Sequence, residues 1–209
     1  MAPLRVEQYV VGIVQTNCYF AINDDTKEML IIDPGASAAR LAKKIEEEKL
    51  NPVVILLTHG HFDHASGAAE LAEHFQIEIY AEEHEKETLE NPDLNLSGWE
   101  GKEQPYRADR FLKDEQEIDL AGFHIRVLFT PGHTVGGCCY YFSYQNALFS
   151  GDSLFAQSIG RTDFPKGSAS ALIRSIKEKL MILPDEVTVY TGHNELTTIG
   201  TERMYNPYL

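Results

Sequence analysis

The sequence predicts a layered α/β sandwich, with two sheets inside and helices outside. Short apolar runs rich in branched residues alternate with helical patterns in both halves of the 209-residue chain. Hydrophobic residues make up 43% and charged residues 24% of the chain, as in ordinary soluble globular proteins. The sequence shows no repeat and no obvious linker, so we expect one domain over residues 1–209.

Strand-like and helical segments follow one another along the chain. Runs of β-branched and aromatic residues predict strands at 6–11, 18–22, 29–32, 53–57, 77–81, 122–130, 138–144, 147–150 and 186–191. Helical patterns cover residues 37–50, 65–75, 82–89 and 168–180. Between residues 91 and 110 no periodic pattern is visible, and we expect a loop that forms a lid, a substrate wall or a simple cover.

Composition also bears on partners and location. A formal charge of -14 argues against nucleic acid, because binding to phosphates depends on lysine and arginine. No apolar run approaches the roughly 18 residues that a membrane span needs, and the N-terminus lacks the pattern of a signal peptide. Since the three cysteines form no spaced pair, we interpret them as packing residues and expect a cytoplasmic protein without membrane contact.

The densest group of metal-ligand side chains lies directly after the predicted strand 53–57. His59, His61, Asp63 and His64 stand there within six positions. Imidazole nitrogens and carboxylate oxygens suit zinc, iron or manganese. His59 and His61 can bind one ion from the same side of an extended turn, while Asp63 and His64 point elsewhere and can bind a second ion. Such density indicates a metal or catalytic site.

Three later positions share the same placement. His133, Asp152 and His193 each follow an apolar strand-like run and are preceded by glycine, which allows tight turns. We therefore expect all three at the C-terminal edge of a sheet, together with the first group. Three other histidines lack this framing and are interpreted as structural or surface residues: His74, His84 and His124.

These motifs together resemble the metallo-β-lactamase fold superfamily. Within it, segments 131–134 and 151–155 are similar to those of glyoxalase II-like hydrolases. Further segments resemble the short bacterial, hydroxyacylglutathione hydrolase-like members: 16–19, 33–35, 160–163, 197–200 and 206–209. The resemblance covers nearly the whole chain and implies an αββα four-layer sandwich.

The resemblance also implies a site for two divalent metal ions, with zinc as the default and iron or manganese as alternatives. His59, His61 and His133 would hold one ion, Asp63, His64 and His193 the other, and Asp152 would bridge both. Two ions about 3.5–4 Å apart can share a water and lower its pKa, so that hydroxide forms at neutral pH. Asp63 would also orient the attacking water.

The implied activity is hydrolysis of a small-molecule thioester of the S-acyl-thiol type. A thiol of pKa about 8.5 leaves without a general acid, and the motifs contain no spare acid. Glyoxalase II itself carries a glutathione-gripping helical segment after its last ligand, where this sequence has only residues 194–209. Asn194 and Glu195 also stand where glycine and proline are common in the family. The sequence therefore names neither the thiol nor an oligomeric state.

Several alternatives stay open or are disfavoured. A mononuclear iron persulfide dioxygenase of the same superfamily would use His59, His133 and Asp152, and a hydrolase of another ester class would use the full set. A β-lactamase is disfavoured, since a zinc-binding cysteine would be expected where Asp152 stands. A flavodiiron-type reductase is disfavoured because it usually has glutamate where His61 stands. A nuclease is disfavoured by the negative charge.

Two residues outside the ligand set are candidates for substrate binding. Trp99 is the only tryptophan and lies in the aperiodic stretch, where it could pack over an acyl group. Arg161 lies close to Asp152 in sequence and would either pair with a substrate carboxylate or order its loop through Asp163.

Overall fold

Two six-stranded sheets lie face to face in the computed structural model, which describes residues 2–209. Helices cover the outer face of each sheet. The predicted four-layer α/β sandwich is therefore confirmed. Among the described residues, no helix is long and apolar enough to cross a bilayer.

The first sheet is built from the N-terminal half of the chain. Its strands, in both chain order and spatial order, are β1 (Leu4–Val11), β2 (Thr16–Asn23), β3 (Glu28–Ile32), β4 (Asn51–Leu56), β5 (Glu78–Glu82) and β6 (Arg110–Leu112). The pairs β1–β2 and β2–β3 are antiparallel, whereas β3 to β6 are parallel. The parallel strands therefore end at one common edge, where β4 delivers the first ligand group.

The second sheet uses the C-terminal half. Its strands in chain order are β7 (Glu117–Leu120), β8 (Phe123–Phe129), β9 (Cys138–Phe142), β10 (Ala147–Gly151), β13 (Thr188–Thr191) and β14 (Thr197–Thr198). They are arranged β14-β13-β10-β9-β8-β7. A separate hairpin pairs β11 (Leu154–Phe155) with β12 (Ser158–Ile159). Because β10 and β13 are parallel and β8 runs in the same direction, the C-terminal ends of all three face the same edge.

Within residues 2–209, seven α-helices connect or cover the strands. They are α1 (Ala38–Glu47), α2 (Phe62–Ala65), α3 (Ala68–Phe75), α4 (Lys86–Glu90), α5 (Pro92–Asn95), α6 (Ala169–Ser175) and α7 (Ile199–Tyr205). Single 3₁₀ turns cover Glu83–Glu85, Ser97–Glu100 and Ser143–Gln145, and α6 continues as a π-helix over Ile176–Leu180.

Alternation along the strands divides the apolar side chains among three core layers. In β2, Phe20 faces the helices α1 and α3, whereas Tyr19 faces the second sheet. In β9, Tyr140 faces the first sheet and Tyr141 faces α6. The adjacent Cys138 and Cys139 likewise point to opposite faces, as a strand requires. All three cysteines are buried and unpaired, in agreement with their interpretation as packing residues.

The stretch 91–110 is more regular than predicted. It contains α5 and a 3₁₀ turn, and residues 101–109 form the irregular part. The buried amide of Asn95 holds this segment together by donating to the carbonyls of Leu89 and Gln104 and by accepting from Ser97 N–H. The sequence pattern missed these elements because they are short and their hydrogen bonds come from a side chain. The short strands β6, β7, β11, β12 and β14 and the helix α7 were missed as well.

Candidate metal centre

The structure brings all seven predicted ligand residues together at one edge of the sandwich. The first four follow β4, and the others lie just beyond the ends of β8, β10 and β13. His59, His61, His64 and His133 are buried. Asp63, Asp152 and His193 are partly exposed and line a cleft of about 460 Å³.

Three histidines converge on one point. His61 Nδ1 lies 3.1 Å from His59 Nε2 and 3.0 Å from His133 Nε2. Ligand nitrogens of a tetrahedral zinc site, each about 2.05 Å from the metal, are about 3.3 Å apart. The spacing therefore fits one small cation, and we call this group the three-histidine set.

A second set stands beside the first. His193 Nε2 lies 3.2 Å from Asp63 Oδ2, and His64 Nε2 lies 3.4 Å from the same oxygen. Asp152 faces both sets, since its Oδ1 lies 3.4 Å from His64 Nε2 and its Oδ2 lies 3.5 Å from His133 Nε2. We call Asp63, His64 and His193 the carboxylate set. Two complete sets with a shared carboxylate fit two ions better than one.

The charges at the site fit cations. Burial, together with neighbouring histidines, lowers the pKa of His59 far below its ordinary value. Burial and His133 lower the pKa of His61 to about 3. Both rings are therefore neutral, as metal ligands must be. In the described part of the chain, the ion-pair partners of Asp63 and Asp152 are all histidines. His64 Nε2 and Asp152 Oδ1 are buried without a hydrogen-bond partner. Such orphaned atoms are costly unless something else, such as a metal ion, binds them.

Comparison with known proteins decides the family. The sequence matches the metallo-beta-lactamase superfamily over residues 11–193, which is most of the chain. The protein belongs to the metallo-beta-lactamase superfamily. The resemblance found in the sequence motifs is thereby confirmed.

Relatives within the superfamily carry different descriptions. A Haemophilus influenzae protein described as hydroxyacylglutathione hydrolase GloC is 41% identical over 209 residues, covering 99% of this chain and 98% of its own length. The crystal structure of BLEG-1 B3 metallo-beta-lactamase superposes with a TM-score of 0.93 at 41% identity, covering 98% of this chain and 99% of that one. The structure of TTHA1623 in a di-iron-bound form gives a TM-score of 0.85 at 34% identity, covering 97% and 100%.

In this superfamily member, outer hydrogen bonds fix which nitrogen each histidine presents. His64 Nδ1 lies 2.9 Å from Asp33 Oδ2, and His133 Nδ1 lies 2.7 Å from the carbonyl oxygen of Arg161. Both acceptors require a proton on Nδ1, so each ring in its neutral form presents the lone pair of Nε2 to the site. The same Asp33 carboxylate also accepts from the N–H and hydroxyl of Thr58, beside His59.

The segment 16–19, singled out by resemblance, has a structural role at the site. Thr16 donates its hydroxyl to Asp63 Oδ2 at 2.7 Å. Asn17 donates to the carbonyls of Thr191 and Asn194, on either side of His193, and the Tyr19 hydroxyl also donates to Thr191. One strand of the first sheet thus anchors two members of the carboxylate set.

Gly192, which precedes the ligand His193, lies so close to two other ligand residues that only glycine fits. A Cβ at Gly192 would lie 2.2 Å from Asp152 Oδ1 and 2.9 Å from His64 Cε1. Any side chain here would therefore push the shared carboxylate away from its histidine neighbours.

Apolar side chains from three segments wall the cleft. Trp99 is one of them, is 60% exposed, and packs edge-on against Phe164 with ring centroids 5.7 Å apart. Phe164 in turn contacts the rings of His61 and His133 at 5.3 and 5.8 Å. Further wall residues are Val14, Leu96, Phe155 and Ile159. Sequence reasoning missed Phe164, although its position directly after segment 160–163 could have suggested it.

Arg161 lines the cleft, but its guanidinium already forms an ion pair within the chain. Its guanidinium donates two hydrogen bonds to the Asp163 carboxylate, at 3.0 and 2.8 Å, and lies 4.3 Å from the centre of the Phe164 ring. The pair with Asp163 is one of the two contacts predicted for Arg161, and a contact with a substrate carboxylate stays a prediction. The backbone carbonyl of Arg161, which orients His133, was not predicted because residue type does not reveal backbone contacts.

Proposed function

We propose that this protein is a binuclear metal-dependent hydrolase that cleaves thioesters of the S-acyl-thiol type. The observation that carries the proposal is the pair of complete ligand sets that share Asp152 at the floor of an apolar-walled cleft. The alternative of a mononuclear iron dioxygenase needs only two histidines and one carboxylate, and it leaves the carboxylate set unexplained.

The two ligand sets would each hold a metal ion. The three-histidine set would hold one ion, the carboxylate set the other, and Asp152 would contact both. Bound divalent ions supply Lewis acidity and lower the pKa of a water at the site. Burial alone would raise the pKa of Asp63, but His64, His193 and the Thr16 hydroxyl lower it to about 2, so Asp63 stays ionised and can accept a hydrogen bond that orients water.

The cleft favours a leaving group that needs no proton. Among the described residues that line it, Arg161 is the one ionisable side chain outside the ligand sets. A guanidinium does not give up its proton, because its pKa exceeds about 12. A thiol, with a pKa near 8.5, departs as thiolate at neutral pH, whereas alcohols and amines need a general acid.

The relatives support the proposal at different levels. The GloC description supports thioester hydrolysis and makes a glutathione thioester a reasonable first substrate. The di-iron form of TTHA1623 supports iron beside zinc and manganese as a candidate metal. We propose zinc as the default, because imidazole and carboxylate ligands suit it.

Hydrolysis of β-lactams is a second candidate. The sequence argument against it was the absence of a cysteine at position 152. The 41% identity to a protein described as a B3 metallo-beta-lactamase weakens that argument, because the likeness extends over nearly the whole of both chains. The lack of a proton donor in the cleft still favours the thioester.

The test is a substrate panel on protein loaded separately with zinc, iron and manganese. Hydrolysis of S-lactoylglutathione and of simpler S-acyl thiols is followed by thiol release, beside an oxygen ester and a chromogenic β-lactam. We expect thioester kcat/KM to exceed the other two by at least about 10²-fold, with Asp152→Ala inactive. Faster β-lactam turnover, or oxygen uptake with a persulfide and no thioester hydrolysis, would overturn the proposal.

A further inference from the structure

A buried glutamate outside the ligand sets connects two of the turns that carry ligands. Glu85 ends the 3₁₀ turn that precedes α4, and its side chain is fully buried. Within residues 2–209, no lysine or arginine forms an ion pair with it. Its charge is met by hydrogen-bond donors instead, and burial, opposed by those donors, still raises its pKa to about 7.

The carboxylate of Glu85 accepts three hydrogen bonds from two separate turns. Its Oε1 accepts from the backbone N–H of Gly60 at 2.8 Å. Its Oε2 accepts from the backbone N–H of Gly136 at 2.6 Å and from the Thr134 hydroxyl at 3.0 Å. Gly60 lies between His59 and His61, and Thr134 follows His133.

These contacts are made next to every member of the three-histidine set: Gly60 adjoins His59 and His61, and Thr134 adjoins His133. The carboxylate set is anchored from elsewhere, through Asp33, Thr16 and Asn17. Asp33 also accepts from Thr58, beside His59, and so supports both halves, whereas the hydrogen bonds of Glu85 lie on the side of the three-histidine set alone.

The turns also press closely against the segment that carries Glu85. A Cβ at Gly136 would lie 2.1 Å from the backbone nitrogen of Glu85, and one at Gly60 would lie 3.0 Å from the Leu89 side chain. The contact at Gly136 leaves no room for a side chain, and a side chain at Gly60 would require Leu89 to shift. The two turns thus pack directly against residues 85–89, and the carboxylate of Glu85 links them.

We propose that Glu85 is a positioning residue that sets the metal affinity of the three-histidine set while leaving the carboxylate set unaffected. This inference rests on the proposed binuclear metal site. Glutamine cannot replace Glu85, because its single oxygen satisfies one side only and its NH₂ group meets a donor on the other.

The experiment compares Glu85→Gln with Glu82→Gln. Glu82 is a matched control, since it is a buried carboxylate just before the same turn. Within residues 2–209 its hydrogen bonds come from the His84 N–H and the His84 ring, not from the ligand turns. Metal-free proteins are titrated with zinc against a chromophoric chelator, and their thermal melting is recorded. We expect Glu85→Gln to weaken one of two zinc sites by about 10–100-fold and Glu82→Gln to leave both unchanged.

A milder variant keeps the test valid if Glu85→Gln fails to fold. Thr134→Val removes one of the three hydrogen bonds at nearly constant shape and should weaken the same zinc site by a smaller factor. Two sites of wild-type affinity in the foldable Glu85 or Thr134 variant, or equal losses in Glu82→Gln, would overturn the inference.

The two proposals fail in different ways. Wild-type protein that binds two zinc ions but cleaves no thioester would end the proposed function and leave the role of Glu85 standing. If the wild-type protein cleaves thioesters but its Glu85→Gln variant binds both zinc ions normally, the role of Glu85 is disproved and the proposed function stands.

Discussion

The cleft has a floor, formed by the seven ligand residues, and a rim, formed by exposed apolar side chains such as Trp99 and Val14. The two are built differently. On the floor, the side chains of His64 and His59 are 0% and 2% exposed, and each ring nitrogen that faces away from the site has a hydrogen-bond partner. On the rim, Trp99 and Val14 are 60% and 42% exposed, and the Trp99 ring packs on Phe164. Several contacts therefore fix the position of each floor residue, while side chains on the rim can change without disturbing the floor.

This difference separates chemistry from substrate choice. Removing a floor residue leaves buried charges or donors without partners, which is costly. Removing a rim residue changes only the apolar area available to a ligand, worth about 25 cal/mol per Å². We therefore expect a steep gradient in mutational effect from the floor to the rim.

The largest effect is expected for Asp152→Ala. Its carboxylate faces both ligand sets, so its loss removes the shared ligand and leaves His64 and His133 without it. We predict a fall in kcat/KM of at least about 10³-fold and the loss of at least one metal per chain, with the fold intact by circular dichroism. Asp119→Ala, which removes an exposed carboxylate that does not line the cleft, is the control. Wild-type turnover in Asp152→Ala would disprove the shared role.

The next largest effects are expected for His133→Ala and His193→Ala. The first removes a ligand from the three-histidine set and the second removes one from the carboxylate set. Elemental analysis of reconstituted wild-type protein should give about two metals per chain, and each variant should retain about one, because the untouched set remains complete. Full activity of wild-type protein that stably holds one metal would contradict the binuclear site.

Phe164→Ala tests the boundary between floor and rim. The ring packs on His61, His133 and Trp99, so its removal opens the wall beside the three-histidine set. We expect kcat/KM to fall about tenfold, corresponding to about 1.4 kcal/mol of lost apolar contact, with unchanged metal content. Tyr144→Ala, which removes an exposed ring that packs on His124, is the control. Loss of metal in Phe164→Ala would instead make Phe164 part of the floor.

The smallest effect is expected for Trp99→Ala. Because most of the ring is solvent-exposed, we predict an increase in KM of about threefold that grows with the size of the acyl group, and little change in kcat. The measurement is a series of thioesters from acetyl to longer acyl chains. Identical constants for every substrate, with unaltered stability, would assign the stretch 91–110 a covering role only.

Much of the floor could be predicted because its signals are local. His59, Asp152 and His193 each follow an apolar strand, and residue type together with the position at a strand end is visible in the sequence. β10 and β13 are parallel strands of one sheet, so placing Asp152 beside His193 needed no coordinates. His59 follows β4 of the other sheet, and only the packing of the two sheets brings it to the same edge. The stretch 91–110 was predicted less well, because α5 depends on the side-chain hydrogen bonds of Asn95.

The sequence by itself therefore determined the layered fold, the seven candidate ligands and the absence of a spare acid among the motifs. Only the tertiary structure showed that Glu85 bonds turns 25 and 51 residues away, that Arg161 is held by Asp163, and that Phe164 covers two ligand rings. The physical reason is that side-chain chemistry and periodicity are local properties. Burial, backbone acceptors and the partner of each hydrogen bond depend on which distant segments the folded chain brings into contact.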